Sequence, residues 1–499
     1  MTKSVATLQP SRSGERGRRV EDQAKRHLIQ PWESLEHLGK ESRTVIDRTE
    51  GVYVYDAEGR RMIDGPAGMW CVQIGHGRRE MAEAIARQAM QLPYQSPWYT
   101  TTAPAAELAE IIAHYAPGDL NHVFFTTGGS TAVDSALRFV AFYNNFLGRP
   151  LKKQIISRAG AYHGSTWLSA SCSGKERDRN HFDFATDIVT LIGAPNPYRR
   201  PSGMSVEAFC DAKVKELEDK ILEIGSDRVA AFIAEPIQAS GGVIVPPAGY
   251  LRRCLEVCRR YDVLYISDEV VTAFGRLGHM FASEAVFGIV PDIITFAKGV
   301  SSGYVPLGGF VISESVLAQV SGPKAKGAVF SNGYTYSGHP VACAAALANI
   351  AIIEREGLLD HVREIAPYFQ ERLAELADLP LVGEVRGMGL MVCIECVANQ
   401  DGRDLLSLDT EVGNRIDAHC QRLGLIVRPI YHMCVMSPPL VITRRQIDDM
   451  VAILRRGIEL TQDELRHERP ISVPVSATDE IPWRPSSSPS PSAEPLRNS

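Results

Sequence analysis

Residues 263–269 read VLYISDE and residues 292–299 read DIITFAKG. Each is a short run of aliphatic and aromatic residues that ends on charged groups: Asp268 and Glu269 in the first, Lys298 in the second. Neither run alternates polar with apolar, as expected of strands covered by helices on both faces. Four more runs share this texture: 122–127 (HVFFTT), 154–158 (QIISR), 229–234 (VAAFIA) and 309–313 (GFVIS). Helical periodicity separates them at 130–144, 249–261 and 340–356. Strands alternating with helices predict an α/β fold, a mostly parallel sheet between helix layers. In the second of those helices Tyr250, Cys254, Cys258 and Tyr261 fall on one face, a core-packing stripe.

In open sheets of this kind ligands bind beyond the carboxyl ends of the strands. Of the four further runs, the first, at 122–127, is followed by Gly128-Gly129-Ser130-Thr131, which opens a helix whose free backbone N–H groups attract a phosphate. Tyr162 and His163 follow the second, and Glu235-Pro236-Ile237-Gln238 the third. Any one of these alone is an ordinary helix cap or a satisfied strand-end charge. Together, a carboxylate, a lysine, an aromatic ring and a phosphate cradle are the parts that pyridoxal phosphate requires.

Beyond residue 356 the texture changes. A helix at 358–376, short strands near 381–385 and 390–397, a helix ending near 423, a strand at 425–428 and a helix from 444 to about 464 predict a smaller α+β unit. The segment 51–61 (GVYVYDAEGRR) reads as a hairpin with its turn at 57–59, packing with that unit. The expected organisation is a mobile arm at 1–26, the N-terminal part of the small domain at 27–75, a large cofactor-binding domain at 76–339, the small domain's C-terminal part at 340–469, and a disordered tail at 470–499. That tail holds 7 prolines and 8 serines in 30 residues, with little to bury.

Composition excludes several classes. At 499 residues, about three units of about 150 residues are expected. With 53 Lys+Arg against 59 Asp+Glu and no basic stripe, a nucleic-acid or anionic-membrane partner has no electrostatic support. No stretch approaches the apolar length of a membrane span, and the polar, basic N-terminus lacks the core of a secretory signal. Ten cysteines, several in helix-like segments, read as reduced buried thiols of a cytoplasmic protein. The C-x-x-C at Cys393 and Cys396 has no second pair, and no metal site is expected. No G-x-G-x-x-G follows a strand, which argues against a nicotinamide dehydrogenase.

The segments TTGGSTAVDSALR, AYHGST, AEPIQASGGV, YISDEVVTAFGRLG, DIITFAKGVSSGYVPLGG and FSNGYTYSGHPVACAAAL occur in the order found in class III pyridoxal-phosphate aminotransferases of fold type I. The chain resembles that family from about residue 29 to 465. The resemblance implies a seven-stranded-type sheet in the large domain and a homodimer, or a tetramer, with shared sites. It makes Lys298 the Schiff-base lysine and Asp268 the partner of the pyridine nitrogen. Tyr162 would stack on the ring, with Val270 on its other face. Gly129 and Ser130 would grip the phosphate, joined by Thr335 from the partner subunit. Gln238 would bond the ring hydroxyl, with Glu235 close by and His163 supporting the cradle. Four positions depart from the family pattern, Thr131, Ala239, Ala273 and Asn332, and none removes a group that transamination needs.

Within the family two features resemble the amine–pyruvate (omega) transaminases. Trp70 stands where those enzymes place an aromatic pocket wall, with Trp98 and Tyr99 lent by the partner. Arg428 stands where they carry a mobile arginine that forks to a keto-acid carboxylate. The expected activity is ping-pong transfer from a primary amine, diamine or omega-amino acid to a keto acid, pyruvate first among them. The alternatives are a 2-oxoglutarate-using aminotransferase, an aminomutase or a decarboxylase on the same scaffold, or a non-catalytic binding protein.

Overall fold

The computed structural model describes residues 13–400, 403 and 411–468. The expected disordered tail lies outside the described residues, as do the first twelve residues of the expected arm. The rest of that arm is a helix, Ser13–His27, tied to the following chain by an Arg16–Asp47 ion pair of 2.9 Å. Its charged sequence carries a helix without an apolar repeat, which is why periodicity did not reveal it.

The central sheet has seven strands: β1 Leu120–Thr126, β2 Gln154–Arg158, β3 Val189–Ile192, β4 Val229–Ala234, β5 Leu264–Asp268, β6 Ile293–Phe296 and β7 Gly308–Ser313. Their order is β1-β7-β6-β5-β4-β2-β3. Strands β3, β2, β4, β5 and β6 pair in parallel, while β7 runs antiparallel to both β1 and β6. Strand β3, which the sequence reading missed, is a four-residue edge strand with two half-buried positions.

Helices cover both faces. On one, Val133, Ala136, Leu137 and Val140 of helix Gly129–Phe146 pack on Ile155, Ile233, Ile266 and Phe310. On the other, Tyr250, Cys254 and Cys258 of helix Tyr250–Arg260 pack on Phe232 and Tyr265, as the stripe predicted. Each such buried side chain contributes about 1.5–3 kcal/mol, so the sheet is a rigid platform for the loops at its strand ends.

Two smaller sheets flank it. The hairpin Tyr53–Asp56 and Arg61–Asp64 adds Ile46–Glu50 on one side and Leu425–Ile426 on the other. Asp56 fixes its turn by accepting from the backbone N–H of Glu58 at 3.0 Å and of Arg60 at 2.8 Å. The second sheet joins Val382–Met388, Met391–Cys396, Met433–Met436 and Arg428–Ile430. The single strand expected at 425–428 is therefore two, one in each sheet. The chain changes sheets at Val427, whose N–H bonds Asp417 at 3.0 Å, and this crossing aims Arg428 toward the central sheet. Cys393 and Cys396 lie buried on their strand.

A buried ion network holds the second sheet to the central unit. Glu395 accepts from Arg199 Nε at 2.9 Å and also bonds Arg386, which in turn bonds Glu384 at 2.6 Å. Burial raises the Glu395 carboxyl, but His432, Arg386 and Arg199 outweigh it and hold it at about 2. A depressed carboxyl stabilises the fold above its unfolded value of 4.5, and that contribution is lost as pH falls toward 2. Glu395→Gln is expected to cost about 3 kcal/mol in denaturant unfolding at neutral pH, because Arg199 loses its carboxylate and the buried Arg386 keeps only Glu384. The difference from wild type should narrow as pH drops through that window.

Candidate active site

The carboxyl ends of β1, β2, β4, β5 and β6 deliver chemical groups to a common cavity of about 460 Å³. Gly129, Ser130, Tyr162, His163, Glu235, Asp268, Val270, Lys298, Trp70 and Arg428 all line it. Gln238 sits behind that wall: its Nε2 donates to Ala159 O at 2.9 Å, and its buried Oε1 has no partner in the protein. Thr335, Trp98 and Tyr99 do not line this cavity. They are exposed, Trp98 at 78% and Tyr99 at 92%, with their rings packed edge to face at 6.0 Å.

Asp268 closes β5. Its Oδ1 accepts from Val270 N and from Thr295 Oγ1, both at 3.1 Å, and its Oδ2 meets His163 Nδ1 at 2.6 Å. The neighbouring Glu269 points the other way and caps helix Ser283–Phe287, accepting from Ala282 N at 2.6 Å and Ser283 N at 2.9 Å. Of the two adjacent carboxylates only Asp268 faces the cavity. Glu235 is buried, and both its oxygens are used: one accepts from Tyr162 N at 3.1 Å, the other from Ala239 N at 3.0 Å. Burial raises its pKa, and Asp268 adds to the rise while His163 opposes it.

Lys298 follows β6 with φ 46°, a left-handed conformation that costs an L residue about 1–2 kcal/mol. The next turn is over-determined. Asn349 donates to Gly299 O and Val300 O, both at 2.9 Å, and accepts from Ser302 at 2.6 Å. A Cβ on Gly299 would lie 2.7 Å from the Gln73 amide and 3.1 Å from Phe274 Cβ, so a larger residue there would have to displace the Gln73 side chain. Burial lowers the Lys298 pKa, with the Asp268 carboxylate opposing, which favours a neutral amine more than in an ordinary lysine.

At the other end of the cavity, helix Gly129–Phe146 presents its N-terminus. Ser130 Oγ accepts from Ser165 N at 3.0 Å. Gly164 has φ 141°, and a Cβ there would sit 2.7 Å from Ser130 Cα, so this close approach of two loops requires glycine. Arg428 enters opposite, its guanidinium 5.8 Å from the Trp70 ring and its buried Nε without a hydrogen-bond partner. Burial lowers its pKa, and Arg177 adds to the effect.

The set fits pyridoxal phosphate. A helix N-terminus stands where a phosphate can bind, an anchored carboxylate and an amine face one cavity, and two buried polar atoms, His163 Nε2 and Gln238 Oε1, lack partners. The sequence reading missed Trp32, Arg43, Lys175, Arg177 and Ser240, which also line the cavity. Trp32 meets Tyr162 edge to face at 6.5 Å. Ser240 lies within the AEPIQASGGV segment, two residues beyond Gln238, and that signal could have found it; the other four lie at no strand end and in no motif, so nothing local marks them.

The class III aminotransferase family pattern matches residues 37–458. The chain is 42% identical over 437 residues to the putrescine–pyruvate aminotransferase of Pseudomonas aeruginosa, covering 87% of this chain and 94% of that one. It is 40% identical over 424 residues to the mitochondrial gamma-aminobutyrate transaminase 1 of Oryza sativa, covering 84% and 82%. The omega transaminase of Pseudomonas jessenii in complex with PMP shares its fold with a TM-score of 0.87 at 35% identity, over 89% of this chain and 98% of that one. The chain belongs to the class III aminotransferases. It is a pyridoxal-phosphate enzyme of fold type I, and among its described residues no helix is long and apolar enough to cross a membrane.

Proposed function

We propose that this enzyme moves an amino group from a primary amine, diamine or omega-amino acid to a keto acid, with pyruvate as acceptor. The observation that carries the acceptor assignment is Arg428, a largely buried guanidinium without a carboxylate partner among the described residues, in the same cavity as Lys298 and Asp268. A planar fork of donors suits a carboxylate. The relative from Pseudomonas aeruginosa, named for putrescine and pyruvate, supports the reading.

Pyridoxal phosphate, when bound, supplies an electron sink and carries the amino group between the two substrates. The chain's own residues do the rest. Lys298 Nζ takes and returns the proton at the substrate carbon. Asp268, fixed by Val270 N, Thr295 and His163, holds negative charge against the pyridine nitrogen. Gly129, Ser130 and the helix N-terminus would hold the phosphate. Tyr162 and Val270 would hold the ring, and Gln238 Oε1 and Glu235 would serve its hydroxyl group. Trp70 walls the substrate, and Arg428 holds the keto-acid carboxylate.

Arg428→Ala tests this. Loss of a bidentate, charged contact of about 1.5–3 kcal/mol corresponds to about a ten- to hundredfold loss. It should fall on the keto-acid half of the cycle alone, read as slow return of the cofactor's yellow colour with pyruvate. Bleaching of that colour by a primary amine should change little. Equal losses in both halves would give Arg428 a structural role.

The reading includes a homodimer in which Thr335, Trp98 and Tyr99 complete the partner's site. Exposed apolar side chains at Met90, Tyr94, Trp98, Tyr99 and Tyr336 support it, since monomers rarely expose such a patch. Light scattering at assay concentration is expected to give at least a dimer, and a fully active monomer would refute it. Pairing of Leu425–Ile426 with Ile63–Asp64 supports a small domain made of 27–75 and 340–469 beside a large one at 76–339. Ten free cysteines fit a cytoplasmic location.

A further inference from the structure

The inner half of the cavity balances its charge. Lys298 faces Asp268 and Glu235, and both carboxylates are already hydrogen-bonded. The outer half does not. Arg43, Lys175, Arg177 and Arg428 line it, and no carboxylate does. Asp178, just outside, serves two of them: it lies 3.1 Å from Lys175 Nζ and 3.3 Å from Arg177 Nε. Arg43 and Arg428 have no carboxylate partner among the described residues.

Lys175 is not a stray surface lysine. Its side chain is only 10% exposed, and its ammonium lies 5.9 Å from the centre of the Tyr162 ring, beside the proposed cofactor position. Arg177 stands at the mouth, 4.7 Å from the ring of Tyr431, the residue that follows the strand Arg428–Ile430. Burial lowers the pKa of Lys175 and Arg428; the Asp178 carboxylate opposes this at both, and the like charge of Arg177 adds to it. Pyruvate has one carboxylate, and Arg428 already accounts for it. The remaining cations are costly in a cavity that only hosts apolar amines, and they repel the distal ammonium of a diamine.

We propose that Lys175 and Arg177 form a second carboxylate subsite, separate from Arg428, and that the amino donor is an omega-amino acid and not a diamine. The proposal rests on the transaminase reading above and names its donor class. The donor's amine would point to Lys298 while its far carboxylate sits between Lys175 and Arg177.

The test compares 4-aminobutanoate, butylamine and putrescine as donors to pyruvate with the holoenzyme, following alanine. Wild type is expected to favour 4-aminobutanoate over butylamine in kcat/KM by about tenfold or more, as a charge-assisted contact gives. The Lys175→Gln/Arg177→Gln double variant should lose that preference mainly through KM, and added sodium chloride should erode it in wild type. Arg177→Glu should raise putrescine relative to butylamine, a gain that misfolding cannot mimic. Wild-type preference for putrescine, or a donor ratio unmoved by the substitutions, would overturn the subsite. If no donor yields alanine, the pyruvate reading fails by itself. Calorimetric binding of hexanoate, measured in an Arg428→Ala background so that its carboxylate has no second cation to bind, then still decides the subsite: a weakening of about tenfold on adding the two glutamine substitutions supports it, and equal binding refutes it.

Discussion

Lys298→Ala is expected to lower alanine formation from pyruvate by about 10²–10⁴-fold or more, the loss that follows removal of a positioned proton-transfer group. The fold should survive. The turn after Lys298 is held by Asn349 through the backbone of Gly299 and Val300, and the lysine side chain takes no part in that anchoring. The cofactor should still bind through the helix N-terminus at Gly129 and through Asp268, but its visible absorption should become that of the free aldehyde. Small primary amines such as methylamine are expected to restore part of the rate, because they supply the missing base in the same cavity. Undiminished turnover in this variant would place the proton transfer on another residue.

Asp268→Asn should cost roughly ten- to hundredfold in turnover, or more, since a charged hydrogen bond in a buried site is replaced by a neutral one. An amide can still accept from Val270 N and Thr295, so the loop geometry should hold. What it loses is the negative charge, and with it the partner of both His163 and the pyridine nitrogen. The expected signature is a weaker hold on cofactor, measured by its release on dilution, together with slow turnover in both halves of the cycle. This separates Asp268 from Arg428, whose loss affects one half only. A variant with normal turnover and normal cofactor retention would be incompatible with the role given to Asp268.

Most of the central sheet was legible in the sequence. Strands β2 and β4 span the segments expected, and β1, β5, β6 and β7 differ by a residue or two at their ends. Their uniform apolar runs reflect burial on both faces, a strong local signal. Strand β3 escaped because an edge strand of four residues is covered less completely. The strand expected at 425–428 was broken in two because membership of a sheet is decided by partners distant in sequence: Ile63 for Leu425 and Val435 for Arg428.

The sequence by itself determined the chemistry: a lysine, an aspartate, an aromatic ring and a glycine-opened helix at successive strand ends, and through their order the family. Those signals are local, since each needs only a strand, its end and the residue that follows. Only the tertiary structure decided which of Asp268 and Glu269 faces the cavity, because the two differ in what their oxygens meet: His163 across 105 residues for the first, the N-terminus of helix Ser283–Phe287 for the second. It likewise decided that Lys175 and Arg177, in a polar stretch without a motif, stand in the same cavity as Arg428 some 250 residues later. Charge in a cavity is summed over every element that lines it, and no stretch of sequence contains that sum.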